Sequence, residues 1–445
     1  MKPFRALLAF VGVLLTALGS ALPADAQTSL QNPLTAEKRD TERLKLVVVL
    51  TRHGVRSPTS DVAQYHQYSI APWPSWNVPP GYLTPHGFRL MRVFGSWDRQ
   101  QFAGQGLLAA TGCEDASRVT IYADTDERTR ETGRALAEGM FPGCPPPVRG
   151  LPEGSNDPLF HPRDAKATAA DSSLAAASIA GGIGGDANNI GAAYRSRLAE
   201  LDAILGKCGT PENTNTKRLS LLDIPAKLVP GTSSHRVELR GPLSVASTLA
   251  ENLLLEYAEG MDAANVGWGC VNGDNLRALM DLHTAESLIA QRTKPVARWQ
   301  AAAILQQIGA ALQQAAGGKA RPGTISRVSD RLFILVGHDT NIATIAGLLN
   351  LHWIVDGRRD DTPPGGALTF ELWQSLATRQ YSVRVYYTTQ TLEQMRSEAA
   401  LTEKEPPVRA PVFVPGCGRE DSSCTLAGFE EELKRELEPE VPAAH

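Results

Sequence analysis

Three short runs of apolar, largely β-branched residues, each followed at once by a polar cluster, restrict this chain more than any other feature. They are Leu44 to Leu50 (LKLVVVL), Val119 to Ala123 (VTIYA) and Arg331 to Val336 (RLFILV). Continuous rather than alternating hydrophobicity is the mark of strands buried on both faces, as in parallel sheets covered by helices. The second and third runs lead through polar loops into Glu127 to Met140 and Asn341 to Leu349, which have helical spacing of apolar residues. Strand, polar loop and helix in that order predict an α/β fold.

Between about Ala165 and Leu312 the pattern changes to Ala- and Leu-rich helical periodicity, as in Ala192 to Leu205, Pro242 to Glu259 and Leu276 to Gln291. The expected organisation is an α/β domain over 27–164 and 313–445, with a mainly α-helical domain, 165–312, inserted between the second and third strands. A chain of 445 residues is too long for one simple core. The Ala/Gly/Ser tract from Ala165 to Ala193 reads as a linker, and its run Gly181-Gly182-Ile183-Gly184-Gly185 interrupts any helix.

The first 26 residues carry Lys2 and Arg5, an apolar stretch from Ala6 to Leu22, and Ala24-Asp25-Ala26. This reads as a secretory signal peptide, with the mature chain starting near Gln27 and a periplasmic or secreted destination. An uncleaved anchor is the alternative reading. No other stretch has the length and apolarity of a membrane span, so no membrane association is expected after cleavage. Losing Lys2, Arg5 and Asp25 leaves the chain one unit more negative than its −4. An acidic, unpatterned surface excludes a basic nucleic-acid-binding face but not a local cluster of cations around a small anion. All six cysteines lie in the mature chain, and six allow fifteen pairings. Cys113–Cys144 and Cys417–Cys424 would each close a local loop; Cys208–Cys270 is then what remains. No C-x-x-C pair suggests zinc.

The densest chemistry is Arg52-His53-Gly54-Val55-Arg56-Ser57-Pro58-Thr59, directly after the first strand. Two guanidiniums bracket one imidazole, and their planar forks suit phosphate oxygens. A short match of this kind also recurs by chance in surface loops. Two further clusters stand after the other strands, Asp124-Thr125-Asp126-Glu127-Arg128-Thr129-Arg130 and Gly337-His338-Asp339-Thr340-Asn341. Taken alone, Arg128 reads as a partner in a surface ion pair and Asp339 or Thr340 as a helix cap. Taken together, all three lie at strand ends, where open parallel sheets bind ligands, with helix N-termini favouring anions.

With these residues in view, the chain resembles the histidine acid phosphatase family, in its bacterial periplasmic phytase, acid phosphatase and glucose-1-phosphatase branch. The signature R-H-G-x-R-x-P is complete at Arg52 to Pro58, and its companion H-D stands at His338-Asp339. The likeness extends through Gly81 to Pro85, Asp126 to Arg130, Asn156 to Phe160, Gly241 to Ser244, Gly267 to Gly269 and Thr362 to Gly366. It implies a phosphoglycerate-mutase-like α/β sandwich core with the helical insert. It also implies an acid phosphomonoesterase acting through a phosphohistidine on His53, with Arg52, Arg56, Arg128 and His338 holding the phosphoryl group and Asp339 as proton donor. Thr59, Asp124, Glu251 and His283 resemble the family's positions that touch the substrate or support the residues that do, although Glu251 and His283 read equally well as helix-surface residues.

Phosphoryl transfer needs alignment and positive charge, which this set supplies; no carboxylate cluster is apparent, so no metal and no cofactor are expected. Neighbouring cations should keep His53 neutral in acid, where Asp339 should be protonated. The expected partner is a small phosphate monoester, phytate-like or a sugar phosphate, and the chain is expected to act as a monomer. Ser60 and Gln300 stand where phytase-like relatives carry cations, leaving Arg89, Arg292 and Arg298 as candidates for peripheral charge. Alternatives are a narrow sugar-phosphate phosphatase, a mutase of the wider superfamily, which would be cytoplasmic and lack the long helical insert, and a non-catalytic periplasmic binding protein.

Overall fold

The computed structural model describes residues 41–162, 169–211, 218–230 and 237–438; the expected signal peptide lies outside them. Its strands are β1 (Glu42–Arg52), β2 (Val119–Ala123), β3 (Val148–Arg149), β4 (Lys227–Pro230), β5 (Val237–Arg240) and β6 (Leu332–Gly337). They continue with β7 (Ile354–Val355), β8 (Arg358–Arg359), β9 (Ala367–Ser375), β10 (Tyr381–Thr389), β11 (Val408–Val412) and β12 (Ser423–Thr425). Helices α1 (Pro85–Gly104), α2 (Glu127–Met140), α3 (Ala169–Gly182), α4 (Asn188–Ala193), α5 (Arg195–Lys207) and α6 (Pro242–Ala258) come first. After them come α7 (Gly273–Ala290), α8 (Lys294–Gly317), α9 (Asp339–Leu348), α10 (Leu392–Ser397) and α11 (Leu426–Leu437).

The main sheet runs in the order β11-β10-β9-β1-β6-β2-β3, with β12 pairing to β10. Its β1, β6, β2 and β3 are parallel neighbours, as the apolar runs predict, whereas β9 joins β1 antiparallel and begins an antiparallel half. The side chains of β1 divide between two cores. Leu46, Val48 and Leu50 enter one, and Val47 and Val49 the other, the two-residue alternation of a strand covered on both sides. A register shift between Leu44 and Leu46 returns Leu44 to the face of Val47 and Val49.

Helices α1 and α2 cover that second face with Met91, Phe94, Leu136 and Met140. Helices α8, α9 and α11 cover the first with Ile304, Ile308, Ile342, Ile345 and Phe429. The result is the α/β sandwich expected. A separate apolar cluster joins α5, α6 and α7 through Leu201, Leu205, Leu249, Leu253, Leu276 and Leu279. The tract read as a linker is helical in α3 and α4, with the break after Gly182 at the glycine run.

The three disulfides are Cys113–Cys144, Cys208–Cys270 and Cys417–Cys424, as the sequence suggests. None joins the strand-end loops, so they act on stability rather than chemistry. Cys208–Cys270 spans 62 residues, the longest loop of the three, and in the chain-entropy account such closure is worth about 4 kcal/mol. Replacing both cysteines by serine should lower the free energy of unfolding by about 2–4 kcal/mol while leaving kcat at room temperature unchanged. Denaturant titration beside a phosphatase assay checks both halves of that expectation.

Candidate active site

The carboxyl ends of β1, β6 and β2 are level. Arg52 pairs with Gly337 and Ala123 with Val336, so the polar clusters that follow the three strands meet above one edge of the sheet. Main-chain hydrogen bonds fix their spacing: His53 N–H donates to Gly337 O at 3.0 Å, and Asp124 N–H to Val336 O at 3.0 Å. Gly365 N–H in turn donates to His53 O at 2.9 Å. The loop passes so close to α1 that a Cβ on Gly54 would lie 2.7 Å from Met91 Cγ. Only glycine fits there without repacking.

His53 is buried, with Nδ1 2.9 Å from the carbonyl oxygen of Gly54. A carbonyl can only accept, so Nδ1 carries the proton and a neutral ring keeps its lone pair on Nε2. Burial, followed by the charges of Arg128, Arg56 and Arg52, holds His53 well below the usual imidazole range. The ring is therefore neutral in mild acid, as a nitrogen nucleophile must be.

The three arginines are built into the protein. Arg52 donates from Nη1 to Thr362 O at 2.5 Å and from Nη2 to Glu251. Arg56 donates to Ser57 O at 2.9 Å and approaches the same Glu251 oxygen at 3.8 Å, and burial brings its guanidinium down to about 10. Arg128 pairs with Asp126 at 2.5 Å. In each of the three, Nε is buried with no hydrogen-bond partner among the described residues. Buried donors left over in three converging guanidiniums suit an anion with several acceptor oxygens.

On the opposite side, Asp124 is fully buried and its Oδ2 accepts from His338 Nε2 and from His161 Nε2, each at 2.7 Å. Burial alone would raise the Asp124 carboxyl, but these two hydrogen bonds outweigh it and hold the group far below the usual carboxylate range. Asp124, Asp126, His161 and His338 bring ligand atoms within 4.8 Å of one another, a grouping the sequence reading did not foresee. Within it, Asp124 is shared by both imidazoles and Asp126 pairs with Arg128.

Asp339 opens α9, its Oδ1 accepting from Thr340 N–H at 2.9 Å while Oδ2 lies 3.7 Å from Arg52 and 3.7 Å from His283. The expectation that it is protonated in mild acid fails for this arrangement. Burial favours the neutral acid, but Arg52, then His283 and Arg56, outweigh it and keep Asp339 ionised. Glu251 and His283 are not helix-surface residues: α6 and α7 bring them to the cluster, Glu251 against Arg52 and Arg56, His283 beside Asp339. Asp124 and Glu251 are both buried, Asp124 against His338 and His161 and Glu251 against Arg52 and Arg56. Thr59 is exposed, and no described hydrogen bond or ion pair joins it to the cluster.

A neutral buried histidine among three guanidiniums, with a carboxylate opposite, is the setting for covalent phosphoryl transfer. The profile of the Histidine phosphatase superfamily (branch 2) matches residues 43–200 and 244–388. The chain belongs to this family. Its phosphatase chemistry follows: the protein is a phosphoric monoester hydrolase of the histidine type. This histidine phosphatase is 35% identical over 420 residues to phytase AppA of Escherichia coli (strain K12), covering 90% of this chain and 95% of that protein. It is 28% identical over 407 residues to the glucose-1-phosphatase of Providencia rettgeri, covering 89% and 92%. The solved Hafnia alvei phytase in complex with myo-inositol hexakis sulphate superposes with a TM-score of 0.80 at 33% identity, covering 90% of this chain and 98% of that one.

The candidates for peripheral charge are engaged elsewhere. Arg89 pairs with Glu398 at 2.8 Å, Arg298 Nε donates to Glu436 O at 2.9 Å, and Arg292 donates to the carbonyl of Leu351. His161 was missed by sequence reasoning. Its one signal is that it directly follows the quoted run Asn156 to Phe160.

Proposed function

We propose that the enzyme is exported and acts as a monomer on phytate-like esters of inositol, through a phosphohistidine formed on His53. The reading rests above all on one observation, the neutral His53 ring held by Gly54 O among Arg52, Arg56 and Arg128. Nε2 attacks phosphorus and forms a P–N bond as the ester oxygen leaves, taking its proton from Asp339. The three guanidiniums and His338 take the charge on the phosphoryl oxygens. Water then cleaves the P–N bond and releases inorganic phosphate.

Asp339 enters this cycle ionised, so its proton comes with the substrate. A bound phosphoryl group draws Arg52 and Arg56 to its own oxygens and sets negative charge beside the carboxylate. Both changes raise its proton affinity, and a substrate bound as its monoanion supplies the proton. Acidic conditions favour that form.

Phytate is preferred over a sugar phosphate because the greater identity is to a phytase. The engagement of Arg89 and Arg298 with Glu398 and Glu436 favours the second reading, a narrower sugar-phosphate phosphatase. Side-by-side turnover decides. Phytate should give the higher kcat/KM, and a clear preference for glucose 1-phosphate would establish the second reading. Secretion of the mature chain beginning near Gln27 would support export.

A further inference from the structure

One carboxylate oxygen serving two imidazoles is an unusual economy for a buried site. Oδ2 of Asp124 accepts from His338 and from His161 at the same 2.7 Å, while Oδ1 accepts the N–H of Thr125 at 2.8 Å. The two rings lie 4.9 Å apart. Because the carboxylate only accepts, both Nε2 atoms carry protons, and the charge of each ring is decided at Nδ1. One carboxylate balances one positive charge. Two imidazoliums on Asp124 would leave the second uncompensated beside Arg128.

We propose that His161 is a positioning residue for phosphoryl binding: by sharing Asp124 with His338 it sets the charge that His338 presents to the phosphoryl group. The inference rests on the proposed role of His338 in holding that group. The other groups around His338 are Asp126 and Arg128 from the start of α2, His53 at the end of β1, and Asp339 and Asn341 on its own helix. Arg128 and a charged His161 oppose a proton on His338, whereas the Asp124 carboxylate favours one.

The proton affinities follow that geometry. The hydrogen bond to Asp124 raises His161, against burial. Burial lowers His338; Asp124 opposes this, while Arg128 and His161 add to it. As pH falls, His161 takes its proton first, and His338 charges only at lower pH. Phosphate affinity, to the extent that it depends on charged His338, is therefore lost at a lower pH than it would be if Asp124 served His338 alone. His161 is half-exposed, so solvent screens its influence and the displacement should be modest, about half a pH unit.

The test uses two variants that keep a hydrogen-bond donor at position 161 and differ in charge. His161→Gln removes the charge, and the alkaline limb of phosphate affinity should move to higher pH. His161→Arg makes the charge permanent, and because His161 is already charged where His338 titrates, the limb should stay near its wild-type position. The readout is the inhibition constant of inorganic phosphate against an aryl phosphate substrate, across about pH 3 to pH 8, with ring-nitrogen NMR titration of His338 beside it. A limb displaced upward in the glutamine variant and unmoved in the arginine variant supports the inference. A glutamine limb that stays in place, or limbs moved the same way in both variants, overturn it and leave His161 a packing residue. His338→Gln is the control for the underlying reading. If it leaves phosphate affinity intact, the role of His338 itself fails; if it weakens affinity while the two position-161 variants do nothing, only this inference fails.

Discussion

Replacing His53 by alanine should abolish turnover, by about 10⁴-fold or more, and leave the fold standing. The ring is buried rather than lodged in an open loop, but its one described side-chain hydrogen bond is to the adjacent Gly54 carbonyl. Losing it costs about 1 kcal/mol, and the vacated space adjoins the phosphate site, where water can enter. No charge is left unpaired, since the ring is neutral among cations. The checks are kcat on an aryl phosphate, circular dichroism and the denaturation midpoint. Wild type quenched in denaturant with labelled substrate should retain acid-labile, base-stable phosphate on the chain. Turnover within tenfold of wild type in the variant, with no trapped phosphate in the parent, would remove His53 as nucleophile.

Asp339→Asn should separate substrates by their leaving groups. General acid help is worth about 10²–10⁴-fold, so phytate or a sugar phosphate should lose that much in the phosphorylation step. An ester such as p-nitrophenyl phosphate, whose departing oxygen needs little protonation, should lose far less. Asparagine keeps the oxygen that accepts from Thr340 N–H, so α9 still starts correctly. The variant also removes the carboxylate facing Arg52 at 3.7 Å, and that change acts on both esters alike. Single-turnover measurement is needed, because slow hydrolysis of the phosphohistidine would hide the contrast. Equal losses would mean that Asp339 holds the arginines, and His283, 3.7 Å away, would become the next proton donor to test.

The part of the site carried by β1, β2 and β6 was legible in the sequence, because buried parallel strands announce themselves as unbroken apolar runs and their polar sequels stand out. Glu251 and His283 were not readable from pattern. They lie on α6 and α7, far along the chain, and only the family likeness singled them out. The antiparallel half of the sheet was missed for a different reason. Strand β9 buries Glu371, which pairs with Arg409 at 2.6 Å and accepts from Trp373 Nε1 at 2.9 Å, so its sequence does not read as an apolar run. Helix α8 shows a further limit: periodicity identifies a helix but not its partner. It lies mostly in the stretch read as the helical insert, yet its apolar face covers the sheet. The ionisation of Asp339 escaped prediction because it depends on Arg52 and His283 arriving from two other elements.

The main-chain bonds that tie His53 to Gly337 and Gly365, and Asp124 to Val336, have a thermodynamic consequence. These loops are continuations of the sheet's own ladder, not appendages hung from it. A fluctuation that displaces one must break hydrogen bonds shared with the next, so small local openings give way to larger cooperative ones. Amide hydrogens at the reacting centre should then be as slow to exchange with solvent as those of the strands beneath. On heating, the enzyme should keep its catalytic geometry until the sheet itself gives way.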